Sequence, residues 1–74
     1  MDVLWVNGYE IRVTRTETET MIAANREGLL SLSHILTALA NEPPGSHLHL
    51  DENNALEDGS SPLILENIDR NPGL

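Results

Sequence analysis

Residues Asn25–Asn41, NREGLLSLSHILTALAN, decide how the rest of the chain must fold. Leu29, Leu32, Ile35, Leu36, Leu39 and Ala40 recur at the three- and four-residue steps that line one side of an α-helix. Asn25 stands where an N-cap belongs, because its side-chain oxygen suits a free N–H of the first turn. Glu27 follows in that turn, where the helix dipole favours a negative charge. Asn41 is the expected stop, and Pro43-Pro44-Gly45 forbids continuation. A single helix cannot bury its own stripe, so a sheet must cover it.

The strands are read outward from that helix. Val3–Val6 and Tyr9–Val13 flank Asn7-Gly8, the strongest short-range hairpin signal. A two-residue turn pairs Val6 with Tyr9 and Leu4 with Ile11. Leu4, Val6, Tyr9, Ile11 and Val13 then share the core side, and Trp5 points away from the helix with Val3 and Arg12. Thr16–Glu19 reads as a turn or as two exposed strand ends, and Thr20–Ala24 as a third strand running into the Asn25 cap. After the helix, His47–Asp51 alternates strictly, with Leu48 and Leu50 inward and His47, His49 and Asp51 outward. Glu52–Ser61 reads as an open, flexible loop anchored by Leu56. Leu63–Ile68 is the last and most continuously apolar strand.

The expected class is α+β: an antiparallel five-stranded sheet in the order β-β-β-α-β-β, with the helix packed on one face. A right-handed crossover would set the strand order at 1-2-3-5-4. Seventy-four residues are one domain, drawn as 1–69 with a frayed tail at 70–74.

Composition narrows the function classes. Twelve acidic residues stand against four arginines and no lysine, a formal net charge of −8. Glu42–Asp69 holds seven acidic residues and no basic one. Such a surface repels nucleic acid and anionic membrane, and attracts a basic protein. There is no cysteine, hence neither disulfide nor thiol chemistry. No apolar run approaches the ~20 residues of a membrane span, and no signal-peptide layout opens the chain, so a cytoplasmic protein is expected.

Few residue groups suggest chemistry. His47, His49 and Asp51 fall on one strand face, and two imidazoles at that spacing suit a metal ion; a polar outer face is the simpler reading. Asp51–Gly59 lacks the ligand and glycine positions of a calcium loop, since Ala55 and Leu56 stand there. Glu57 and Asp58 are adjacent carboxylates with nothing around them to tune a proton transfer. No catalytic residue, cofactor site or metal site is assigned, and no enzyme is expected. Trp5 and Arg12 are residue types enriched at interface hot spots. The candidate partner-binding residues are therefore Trp5, Arg12, His47, His49, Asp51, Glu52, Glu57 and Asp58.

Three segments taken together, Asn25–Leu32 (NREGLLSL), Gly45–Asp51 (GSHLHLD) and Leu56–Ser60 (LEDGS) before Leu63–Glu66 (LILE), carry a resemblance. The chain resembles the immunity protein 32 family of bacterial polymorphic toxin systems over about Thr20 to Ile68. The resemblance implies a small α+β antidote that binds a cognate toxin in the cytoplasm and needs no cofactor. Acidic antidotes of this kind commonly face a basic toxin. Two alternatives remain: a structural or regulatory module that forms a homodimer through an open sheet face or an edge strand, and a small metal-binding protein using His47 and His49.

Overall fold

The computed structural model describes residues 1–70 of the chain. It contains four strands and one helix: β1 (Ile11–Arg15), β2 (Thr20–Ala24), α1 (Arg26–Ala40), β3 (His47–Leu50) and β4 (Leu63–Glu66). The body is flat, 39 × 32 × 19 Å.

The helix forms as the sequence demands. Asn25 is its N-cap and accepts from the Gly28 N–H at 2.7 Å, and Asn41 is its C-cap. The buried face, however, runs through Gly28, Ser31, Ile35 and Leu39, while Leu29 and Leu36 stay more than half exposed. The expected stripe is thus rotated. The cause is the N-terminal segment, which crosses close to the helix: the Glu10 carbonyl lies against Gly28, and the Val6 N–H donates to Ser31 Oγ at 2.8 Å. Small residues admit that close approach, and the two leucines turn outward.

The hairpin expected at Asn7-Gly8 does not form. The chain does turn there, with the Tyr9 N–H bonded to the Val6 carbonyl at 3.1 Å. Gly8 has φ +83° and Asn7 before it does not have positive φ, which is the type II pattern. Hairpins prefer turns with positive φ at the first central residue, and type II splays the flanking strands. Residues 3–6 therefore never become a strand. Trp5, expected on the opposite sheet face from Tyr9, instead stacks on it, with ring centroids 4.8 Å apart and planes 27° from parallel.

The hairpin that does form joins β1 to β2, antiparallel, with Ile11 opposite Ala24 and Arg15 opposite Thr20. Thr16 closes its turn: the N–H donates to the Glu19 carbonyl at 2.8 Å, and the hydroxyl accepts from the Glu19 N–H at 3.1 Å. β3 pairs antiparallel with β4, His47 opposite Glu66 and Leu50 opposite Leu63. The result is two separate two-stranded sheets, not one of five strands.

A loop stands where the continuous sheet would have closed. Residues 57–61 lie along the free edge of β1, with the Glu57 N–H on the Ile11 carbonyl at 2.9 Å and the Ser61 N–H on the Val13 carbonyl at 2.8 Å. Between those bonds the loop turns on itself through Ser60 N–H to Glu57 carbonyl, and Ser60 Oγ accepts from the Val13 N–H. A turned segment satisfies the edge without continuing the ladder. It also brings Ala55 and Leu56 into the core, where they pack with Ile11, Val13 and Leu50.

Candidate functional site

The acidic residues of the second half sit mainly on the connection from β3 to β4, and this connection is a fixed platform. The Asp51 carbonyl accepts from the N–H groups of Asn54, Ala55 and Leu56 at 3.2, 3.1 and 2.9 Å. Asp51 Oδ1 accepts from the Asn53 N–H at 2.8 Å, and Asn54 bridges the Asp51 N–H and the His49 carbonyl. Glu52 Oε2 accepts from the Gly59 N–H at 2.8 Å, so it closes the loop on itself. Two arginines then fasten it to β1. Arg12 Nη1 donates to the Asp58 carbonyl at 2.8 Å, and Arg15 Nη2 to the Pro62 carbonyl at 3.1 Å. The expectation of an open, flexible loop is corrected: backbone and side-chain bonds hold it along most of its length.

These arginines neutralise no carboxylate. An ion pair joins the Met1 amino group to Glu42 at 3.8 Å, and neither Arg12 nor Arg15 is in an ion pair with a carboxylate among the described residues. Glu57 lines a hollow of about 340 Å³ together with Arg12, Glu10 and Asn25, and Asp58 follows it with its carbonyl bonded to Arg12. Negative charge displayed on a fixed backbone attracts a cationic surface without the entropy cost of ordering the loop.

The structure brings Arg12, Glu57 and Asp58 together, with Glu52 tied to the same loop through Gly59. It keeps the other candidates apart. His47 and His49 lie in the second sheet, exposed, with rings edge-to-face at 5.1 Å. His47 Nδ1 is 3.1 Å from the Gly45 carbonyl. Their cross-strand neighbours are Glu66 and Ile64. Among the described residues no group of three His, Cys, Asp or Glu side chains is placed to hold a metal ion. Asp51 belongs to the loop's internal bonding rather than to the histidine row. Trp5 is 36% exposed on the N-terminal segment, in neither sheet.

Three polar residues shape this arrangement although they are absent from the candidates. Asn25 does more than cap the helix: its Oδ1 also accepts from the Glu10 N–H, and its Nδ2 donates to the Gly8 carbonyl. Ser31 is fully buried between Val6 and the Glu27 carbonyl. Asn67, just past the end of β4, donates through Nδ2 to the carbonyls of Leu39 and Glu42, both at 3.1 Å, and so caps the far end of the helix. The cap at Asn25 is readable in sequence; the long-range bonds of Ser31 and Asn67 have no local signal.

Residues 19–68 match the sequence profile described as Immunity protein 32. No curated protein and no solved structure matches the chain. The matched segment begins just before β2 and ends just beyond β4, so it takes in the helix, the second sheet and the whole acidic platform. With that match spanning most of its length, the chain belongs to the immunity protein 32 family.

Proposed function

We propose that this protein is a cytoplasmic, non-catalytic antidote that neutralises a cognate toxin of a polymorphic toxin system by binding it. The family membership supports an immunity role, and the platform at Asp51–Ser61 supplies the means. The observation that carries the reading is that Glu57 and Asp58 sit on a backbone bonded to β1 and to Arg12, and that neither of the two is in an ion pair with another described residue. A basic toxin surface is the complement of such a site. Arg12 then has a positioning role, since its guanidinium is engaged with the Asp58 carbonyl.

The test is association with the product of a neighbouring toxin reading frame in the native host, identified by pull-down, followed by stopped-flow or surface binding across ionic strength. The association rate is expected to fall about tenfold from low to high salt, because steering between opposite charges is screened. Glu57→Gln with Asp58→Asn should lower the same rate and leave the fold intact. A rate that ignores both salt and these substitutions sinks the electrostatic part of the proposal. A cell killed by the toxin despite co-expression of this protein sinks the antidote reading.

A further inference from the structure

The outer edge of β2 is open. In the β1–β2 ladder, Ile11 and Val13 direct their backbone groups toward the loop at 57–61, so Arg12 and Thr14 face β2 and bond with Ala23 and Met21. The N–H and C=O groups of Thr20, Ile22 and Ala24 therefore point away from β1. Among the described residues they have no partner. Thr20–Ala23 are exposed, Met21 and Ile22 at 56% and 44%. The strand Thr-Met-Ile-Ala-Ala carries no lysine, proline or charge, the devices that normally protect an edge.

We propose that β2 is a self-docking edge, and that two copies of this chain pair β2 to β2 in antiparallel fashion to make one four-stranded sheet. The register centres on Ile22. Ile22 meets Ile22 of the second copy, and Thr20 meets Ala24, so the outward backbone groups exchange roughly six hydrogen bonds. Met21 lies opposite Ala23, a large residue against a small one on the same face. Glu17 and Glu19 in the turn of one copy approach the start of α1 in the other, where Arg26 and the helix dipole favour anions.

Charge selects a second copy rather than a basic partner at this edge. Residues 10–27 hold four acidic residues and three arginines, a net of −1 out of the total of −8. Two strongly negative molecules repel least where each is nearly neutral. A cationic protein is drawn instead to the acidic remainder, which the pairing leaves exposed at both ends. The contact is small, below the ~1,000 Å² that marks a stable interface, so the dimer is weak and concentration-dependent.

Sedimentation equilibrium of the full chain up to ~1 mM tests this. The expected result is a mass rising from the 8.1 kDa monomer toward twice that value. Ile22→Pro removes the central outward N–H without touching a β1–β2 bond, and should lower the association constant at least about tenfold. In the unmodified protein, the amides of Thr20, Ile22 and Ala24 should gain exchange protection as concentration rises, which needs no variant to fold. A monomer at every concentration, or a dimer with those amides unprotected, overturns the proposal. So does an edge that becomes protected only when the toxin is added.

Discussion

Gly28 shows how a single residue constrains this molecule. Replacing a helical glycine by alanine ordinarily stabilises by about 1 kcal/mol. Here a Cβ at position 28 would run into the Glu10 carbonyl and crowd Ala24 and Asn25. Gly28→Ala is therefore expected to destabilise by ~1–3 kcal/mol, the range for overpacking a tight contact, and urea denaturation will read the sign directly. Ser31→Ala is the companion case. It leaves the Val6 N–H without its acceptor in a partly buried site, and should cost about 1–3 kcal/mol. Sequence patterning sees an acceptable serine and an unfavourable glycine at these positions. Their reason lies in a segment about twenty residues away, which no local period encodes. By contrast Asn25, whose role begins with its own helix, is legible at once.

At the scale of elements, what was legible follows the range of the forces involved. The helix and the strand Thr20–Ala24 rest on local periodicity and caps, the antiparallel pairing of the two late strands on the crossover rule, and all three are present. The Asn7-Gly8 hairpin failed because the dipeptide permits more than one turn, and only the surrounding packing selects among them. The five-stranded sheet failed for a related reason: Glu57–Ser61 occupies the edge of β1 with a turned backbone. Of the candidate residues, Arg12 lies with Glu57 and Asp58; Trp5 was placed by the register of a hairpin that does not form, and His47 and His49 lie outward as the alternation of their strand has it. The arginine fastening makes a prediction of its own. Arg12→Met with Arg15→Met should free the loop by about 1 kcal/mol per lost bond. Amide exchange at Glu57 and Ser61 should then quicken by at least about fivefold, while β3 and β4 change little.

For the molecule as a whole, thickness is the governing dimension. At 19 Å the body is about one helix laid over one sheet, and among the described residues seven apolar side chains are buried. Such a wafer has little free energy in reserve when it stands alone. Any companion that grips only the folded form adds to that reserve by mass action, about 4 kcal/mol at a thousand times its dissociation constant. Melting temperature thus becomes a gauge of occupancy: a lone molecule should unfold early and fall to proteases, and an engaged one should outlast it. Thinness would in this way tie the lifetime of each copy to whether anything holds it.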